Sequence, residues 1–216
     1  MFDFKALRKF KASITPEEVM AVLKYFEADK SPGPDGWTPD FFLHFIEYFI
    51  MDLTDMVEES RVSSKIIGAI NSTFIAFIPK NDNPSTFGEY RPISLCNLLY
   101  KITSKIIANR MKLDLSKHIS PEQYGFLPSR SIHDAIAVAQ DILHSIHSEK
   151  REEMILKVDL YKAYDTLDWS YIRLVLLNIG LPLRIIRWIM SCITSVRYAV
   201  IVNGLPTTFF EVGRGL

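Results

Sequence analysis

The sequence predicts an α+β fold, in which helices come first and a mixture of strands and helices follows. Apolar residues recur at helical spacing after Thr15-Pro16, which predicts an amphipathic helix near the start. Residues 73–79 form a short apolar run of the kind found in buried strands. Apolar stretches flank Asn203-Gly204 and predict a β-hairpin, because this dipeptide suits a tight two-residue turn.

The predicted helices begin at recognisable N-terminal patterns. Thr15, Pro16 and Glu18 supply an N-cap, a first-turn proline and an acidic residue three positions on. The other predicted helices begin near Thr38, Leu98, Ser131, Asp168 and Pro182, and the other predicted strands occupy residues 154–159, 197–202 and 207–212. The apolar face of the helix after Thr38 carries Phe42, Phe45, Phe49 and Leu53. No repeat, low-complexity tract or long linker interrupts this order.

Composition indicates a folded chain but does not identify a binding partner. The chain has 216 residues, 48% of them hydrophobic, with 25 basic and 25 acidic side chains. Residues 61–117 are basic, with nine Lys or Arg against three Asp or Glu. Lys101, Lys105 and Lys112 lie roughly on one side of a predicted helix there. A basic stretch of this kind is typical of nucleic-acid-binding proteins, and a solvated helix face has the same composition.

The cysteines, histidines and apolar stretches indicate the cellular compartment and the kinds of site to expect. Cys96 and Cys192 lie far apart in apolar surroundings, which predicts two buried free thiols and a reducing compartment. The five histidines lack the spacing of a zinc site. Charged residues interrupt every apolar stretch before it could span a bilayer, and no signal peptide pattern is present. We therefore expect an intracellular protein, nuclear or cytoplasmic, without a membrane segment.

Asp159 is the first candidate for chemistry, because it ends the apolar run at residues 154–158. The carboxyl end of a strand is where the sites of α/β sheets open. A carboxylate at that place is a natural ligand for Mg²⁺. The alternative interpretation is that Asp159 only terminates the strand.

Four segments, at residues 30–36, 78–95, 123–131 and 158–165, occur in a fixed order. They read KSPGPDG, IPK with YRPISL, QYGF with SRS, and VDLYKAYD. Together they resemble the reverse transcriptases of LINE-type (non-LTR) retrotransposons, and their residues are similar to those of the plant branch. The resemblance implies a right-hand polymerase fold and an RNA-directed DNA polymerase that uses two-metal nucleotidyl transfer.

The resemblance assigns the metal and sugar contacts to the last segment. Asp159 would be the catalytic, first metal-binding aspartate, and Leu160 would offer its main chain to the second metal. The metal would be Mg²⁺, with Mn²⁺ possible. Tyr164 would be the aromatic gate, whose ring fills the volume that a ribose 2′-hydroxyl needs. Without the motif, a core aromatic is the better interpretation of Tyr164.

The second segment supplies candidate phosphate contacts. The resemblance places Arg91 on the incoming triphosphate, a role that suits the bidentate guanidinium. Lys80 is a second candidate, since an ammonium acts as a point charge on phosphate. Each of these residues is also consistent with an ordinary surface cation.

The third segment supplies candidate template contacts. The resemblance implies that Gln123, Gly125 and Phe126 position the template strand and that Arg130 contacts a phosphate. Glycine permits a close approach of the backbone to a ligand, and phenylalanine can stack on a base. The alternative is a tight turn with a buried phenylalanine.

The resemblance also predicts a division of the chain. We expect an N-terminal helical extension at residues 1–30, fingers at 31–153 and a partial palm at 154–216. The implied partners are an RNA template, a DNA primer and deoxynucleoside triphosphates. No Asp-Asp dipeptide is present, so the second acidic motif is expected to be missing and this chain alone to be inactive. The alternative function is a non-catalytic RNA-binding remnant or a maturase-like module.

Overall fold

The fold is known from a computed structural model, which describes residues 4–27, 30–128, 130–149, 152–160 and 162–215. Its helices are α1 (Phe4–Lys11), α2 (Pro16–Tyr25), α3 (Pro39–His44), α4 (Ile46–Ser63), α5 (Leu98–His118), α6 (Ile132–Ser148), α7 (Ala163–Thr166), α8 (Trp169–Asn178) and α9 (Leu183–Thr194). Its strands are β1 (Ser72–Pro79), β2 (Tyr90–Cys96), β3 (Arg197–Val202), β4 (Leu205–Pro206) and β5 (Phe210–Glu211). Helices and one sheet are both present, which confirms the predicted mixed class.

Local capping patterns set the helix boundaries as predicted. The Thr15 hydroxyl accepts a hydrogen bond from the Glu18 main-chain N–H, 3.3 Å away, at the start of α2. The Asp168 carboxylate accepts from the N–H groups of Ser170 (2.6 Å) and Tyr171 (3.3 Å) at the start of α8. These side chains satisfy N–H groups that the first turn of a helix leaves unpaired.

The helix predicted after Thr38 is divided in two. Phe45 has φ −108° and ψ 26°, outside the helical region, and separates α3 from α4. Phe42 and Leu53 remain buried as predicted, whereas Phe45 is 39% exposed. The four aromatic and aliphatic residues therefore do not form one continuous apolar face, because they belong to two helices and Phe45 lies at the break between them.

The hydrophobic core lies between the helices from both halves of the chain. Trp188 of α9 is 1% exposed, and its indole N–H donates to the Ser60 hydroxyl of α4 over 3.0 Å. The largest fully buried apolar side chains are Trp188, Phe10, Leu23, Ile102, Ile106, Ile186, Val19, Val22 and Val57. One cluster thus joins residues from all three predicted subdomains, and the subdomain boundaries stay a prediction.

The sheet has the order β2-β1-β3, with β4 and β5 on the far side of β3. β1 and β2 are antiparallel, from Thr73 opposite Cys96 to Pro79 opposite Tyr90. β1 and β3 are parallel and bring chain regions more than a hundred residues apart side by side. The predicted hairpin is confirmed, and its turn at Asn203-Gly204 has positive φ at both residues, as this turn requires.

The strand predicted at residues 154–159 is wrong. Residues 152–160 contain neither helix nor strand, and Met154, Leu156 and Val158 are 70–89% exposed. A strand that is apolar on both faces needs paired neighbours and cover on both sides. β1, the strand at the centre of the sheet, already has β2 and β3 as its neighbours. The segment therefore lies outside the sheet.

Helix α6 forms as predicted but its apolar face is not buried. Its N-cap Ser131 accepts from the His133 N–H over 3.1 Å. Ile132, Ile136 and Leu143 are 49–66% exposed, and none of the described α6 residues is buried. The helix is therefore stabilised mainly by its own hydrogen bonds and cap.

The free thiols are confirmed, although only Cys192 is fully buried and Cys96 is half-buried. Burial raises the pKa of the Cys192 thiol to about 12, which keeps it protonated and unreactive. None of the described helices combines the length and the apolar character needed to cross a membrane.

Arg110 of α5 connects the N-terminal helices to the core. Its guanidinium donates to both carboxylate oxygens of Glu18, at 2.8 and 2.6 Å, and to the carbonyl oxygens of Ala12 (2.8 Å) and Ser13 (3.2 Å). Arg110 is only 7% exposed, so its charge depends on these partners.

Replacing Arg110 with Met should lower the free energy of unfolding by about 3 kcal/mol, because Glu18 and two carbonyl groups lose their donor. Urea unfolding followed by circular dichroism measures this loss. The matched control is Lys112→Met on the same helix, where the side chain is exposed and little change is expected. Equal stability of the two variants would contradict the assignment.

Glu58 makes folding depend on pH. It accepts hydrogen bonds from Arg61 and from the Ile14 N–H (3.0 Å), and the Arg61 bonds lower its pKa from 4.5 to about 2. A lowered carboxyl pKa stabilises the fold above the ordinary value and stops doing so as the pH falls through the folded value.

We expect Glu58→Gln to reduce stability by about 1–3 kcal/mol at neutral pH, the usual contribution of hydrogen bonds to a charged group. The difference between the parent and the variant should shrink as the pH falls from about 4.5 towards 2. Urea midpoints across that range test this prediction, with exposed Glu59→Gln as the control. A difference that stays constant down to the lowest pH would count against it.

Candidate functional site

Asp159 and Leu160 lie in the irregular segment before α7. The Asp159 side chain is exposed, and Leu160 is 72% exposed. Within the described ranges, no three His, Cys, Asp or Glu side chains are close enough to hold a metal ion together. Asp159 is therefore a solvent-accessible carboxylate that supplies one oxygen ligand set and needs further ligands from elsewhere.

Tyr164 and Phe126 are brought into contact. Their ring centroids are 6.4 Å apart and the rings are nearly perpendicular, at 88°. This edge-to-face geometry is the favourable one for two aromatic rings. Tyr164 is 58% exposed and Phe126 is 89% exposed, so both rings also face solvent. The structure thus joins the predicted gate to the predicted template segment.

The surroundings of these rings explain their positions. Phe126 has φ +64°, an uncommon backbone conformation for a residue with a side chain, and its ring projects outward. The Gln123 side-chain amide donates to the Gly125 carbonyl over 3.5 Å and closes the turn. On the other side, Lys162 has φ 46° at the start of α7, which carries Tyr164. The alternative of a buried phenylalanine in this turn is wrong.

The Arg130 guanidinium binds main-chain carbonyl groups in this structure. Its guanidinium donates to the carbonyl oxygens of Ser116 (3.1 Å), Ile119 (2.9 Å), Ser120 and Gln123 (2.7 Å). Two of these carbonyls close the C-terminal turn of α5, where cations are favourable. The donors that a phosphate would require are therefore occupied, and Arg130 fixes the segment that carries Phe126.

The predicted phosphate contacts lie on the β1–β2 edge. Arg91 is exposed on β2 opposite Ile78, and its side chain makes no hydrogen bond or ion pair with a described residue. The Lys80 ammonium, just past β1, donates to the Gly88 carbonyl over 2.8 Å. Arg91 thus presents free donors, whereas Lys80 is held by the local turn.

A cavity of about 300 Å³ lies between the sheet and the segment after Tyr164. Its polar lining consists of Ser94, Asp165, Tyr198 and Arg214. Burial raises the pKa of Tyr198, and the nearby charges of Cys96 and Asp165 add to this effect. Side chains alternate along a strand, so Arg91 faces away from this cavity, which Pro92 and Ser94 line.

Gly215 fastens the end of the described chain to this region. Its N–H donates to the Leu167 carbonyl and its carbonyl accepts from the Trp169 indole, each over 2.8 Å. With φ +88°, and with a Cβ position only 2.9 Å from the Asp165 carbonyl oxygen, only glycine fits here. The sequence did not predict that Asp165, Arg214 and Gly215 would line this cavity. The glycine was the one residue whose type could have indicated a close approach here.

The segment at residues 30–36 packs against the junction of β2 and α5. A Cβ at Gly33 would lie 2.4 Å from the main chain of Cys96 and Asn97, so the close approach requires glycine. The Asp35 N–H donates to the Asn97 side chain over 3.1 Å. This segment therefore supports the helix that follows β2.

The family model described as "Reverse transcriptase (RNA-dependent DNA polymerase)" matches residues 78–215. The match covers more than half of the chain and includes the segments around Arg91, Phe126 and Tyr164. The chain therefore belongs to the reverse transcriptase family.

Similar proteins come from mobile elements. The chain is 26% identical over 208 residues, 96% of its length, to the "Transposon TX1 uncharacterized 149 kDa protein" of Xenopus laevis. It is 24% identical over 211 residues, 98% of its length, to the Pol polyprotein of the type-2 retrotransposable element R2DM of Drosophila melanogaster. The predicted LINE-type likeness is confirmed, and the plant branch stays a prediction. The chain spans 16% and 19% of these two relatives.

Replacing Arg130 with Lys should loosen the segment from Ser120 to Phe126, because one ammonium cannot serve four carbonyl groups. We expect amide hydrogen exchange there to become about tenfold faster, the effect of losing one or two net hydrogen bonds. Hydrogen-exchange mass spectrometry provides the measurement. Arg173→Lys on α8 is the matched control. Unchanged exchange in the Arg130 variant would show that the Arg130 hydrogen bonds do not hold this segment.

Proposed function

We propose that this chain carries nucleotide- and template-binding residues of an RNA-directed DNA polymerase of a LINE-type element. The contact between Phe126 and Tyr164 carries the proposal, because it joins the segment predicted to contact the template base to the segment predicted to contact the incoming nucleotide. The chain spans under a fifth of its first relatives, so polymerisation belongs to the whole protein. The proposal includes the division into a helical extension (1–30), fingers (31–153) and palm (154–216).

In this proposal Tyr164 selects the sugar by its volume. A ring beside the sugar of the incoming nucleotide leaves no room for a 2′-hydroxyl. Phe126 contacts the Tyr164 ring edge to face, which restricts the orientations that this ring can adopt. The exposed Phe126 ring also offers an apolar face on which a template base can stack. Gln123, Gly125 and Arg130 keep that ring in place.

Asp159, with the main-chain carbonyl of Leu160, would hold the metal. Carboxylate and carbonyl oxygens suit Mg²⁺, which typically binds through one or two carboxylates together with water and substrate phosphates. When bound, Mg²⁺ would lower the pKa of the attacking hydroxyl and neutralise phosphate charge. The exposed position of Asp159 leaves room for these other ligands.

Arg91 would bind the triphosphate of the incoming nucleotide. Its guanidinium is exposed and has no partner among the described residues, so binding displaces no existing contact. Lys80 would have to leave the Gly88 carbonyl first, which makes its contribution smaller. Arg91 lies on the opposite sheet face from the Asp165 cavity, so this cavity itself is not expected to hold the triphosphate.

Two substitutions test the proposal, with Mn²⁺ as a paramagnetic probe and dATP as the nucleotide. Arg91→Ala should weaken binding of Mn²⁺-dATP about tenfold or more, the effect of one charge-assisted contact. Asp159→Asn should weaken Mn²⁺ binding, so that the electron paramagnetic resonance signal of free Mn²⁺ increases. Arg173→Ala and Asp52→Asn remove equivalent exposed charges elsewhere.

Indistinguishable binding by the variants and their controls would sink the assignment. The alternative of a non-catalytic RNA-binding module makes a different forecast. In that case the chain binds RNA but shows no Mn²⁺-dATP affinity at any of these positions.

A further inference from the structure

Two adjoining cavities between the end of α4 and the face of α9 share Arg184 as a lining residue. Their volumes are about 260 and 580 Å³. The cations that line them are Lys11, Arg61, Lys65, Arg184 and Arg187, which we call the basic groove. Among the described residues, no acidic side chain lines either cavity. The groove thus concentrates positive charge in a chain whose formal net charge is zero.

The walls of the basic groove are fixed to each other. The Arg184 guanidinium donates to the Val62 carbonyl over 2.6 Å, and the Ser64 hydroxyl donates to the Arg184 carbonyl over 3.1 Å. The Ser191 hydroxyl accepts from the Ile66 N–H over 2.8 Å. These bonds join α9 to the end of α4, so the groove is formed before any ligand arrives.

Several charges in the groove have no counter-charge. Lys65 and Arg187 are exposed, and their side chains make no hydrogen bond or ion pair with a described residue. Arg61 differs, because Glu58 pairs with it and a third bond goes to the Lys11 carbonyl. Arg184 uses one of its nitrogens on α4 and keeps donors to spare. The free donors therefore face the open part of the groove.

We propose that the basic groove binds the sugar-phosphate backbone of a nucleic acid, at a site separate from the predicted nucleotide and template residues. Unpaired Lys and Arg along the basic groove attract a polyanion by counterion release. Hydroxyl groups of Ser63 and Thr194 add hydrogen-bond donors for phosphate oxygens. Membership of the reverse transcriptase family favours a nucleic acid over an acidic protein. RNA and DNA share this chemistry.

The groove is independent of the polymerase assignment. Its residues lie at the end of α4 and just after it, along α9, and at the end of α1. The proposed nucleotide site lies on β2 and in the segments around Phe126 and Tyr164. A second contact away from the reacting nucleotide would hold the nucleic acid while the strand moves through the site. The groove proposal stands even where Arg91 and Asp159 fail their test.

The test removes the two unpaired charges together. Lys65→Gln with Arg187→Gln is compared with Lys24→Gln plus Arg173→Gln, which removes two exposed cations elsewhere. Fluorescence anisotropy with labelled single-stranded RNA, and in parallel with duplex DNA, is recorded across a KCl series. The groove variant should bind RNA about fivefold more weakly, and its slope of log affinity against log salt should fall by about 1.4, or about 0.7 per lost contact. Its Mn²⁺-dATP binding should equal that of the parent.

The outcomes separate cleanly. Salt-dependent binding of RNA or DNA that weakens in the groove variant alone supports the proposal and shows which backbone is preferred. Identical affinities and slopes in both double variants overturn it. Tighter binding of a polyglutamate peptide than of RNA, with the same loss in the groove variant, would also overturn it in favour of an acidic protein partner. Thermal unfolding of both variants confirms that each is folded.

Discussion

The pairing of β1 with β3 begins beside Asn71, a buried residue that joins the start of β1 to the end of α9. Its amide donates to the Cys192 carbonyl and the Ser195 hydroxyl, each over 2.9 Å, at the end of α9. The main-chain carbonyl of Asn71 accepts from the Arg197 N–H over 3.0 Å and so sets the first step of the parallel register. Asn71 has no solvent exposure, so no water replaces these bonds. Parallel strands far apart in sequence need such a fixed starting point.

The rest of the molecule follows from this register. β3 carries Tyr198 to the Ser94 side of the sheet and thereby forms the cavity beside Asp165. The same junction holds α9 against α4, which creates the basic groove between them. The contacts of α9 with Asn71 and with Ile66 thus connect the strand that lines the polar cavity to the helix that lines the cationic surface.

Sequence reasoning succeeded where the determinant was local. The Thr15, Ser131 and Asp168 caps, and the Asn203-Gly204 turn, depend on groups within a few residues. It failed where the outcome depended on distant neighbours. The run at 154–158 has a strand composition but no unoccupied place at the centre of the sheet, and Asp159 therefore lacks the strand end that was expected. Gly215 contacts residues about fifty positions away, which no local pattern encodes.

The arginines show why the site is harder to predict than the fold. The same five donors can close a helix end, as in Arg130, or pair with a carboxylate, as in Arg110. A motif assigns the residue type but not which acceptors reach it first. In the described part of the chain, Arg91 and Arg187 keep their donors unpaired. A satisfied guanidinium binds phosphate only by breaking existing bonds, whereas an unsatisfied one exchanges water for phosphate. Ligand contacts therefore follow from unpaired donors, which only the three-dimensional arrangement identifies.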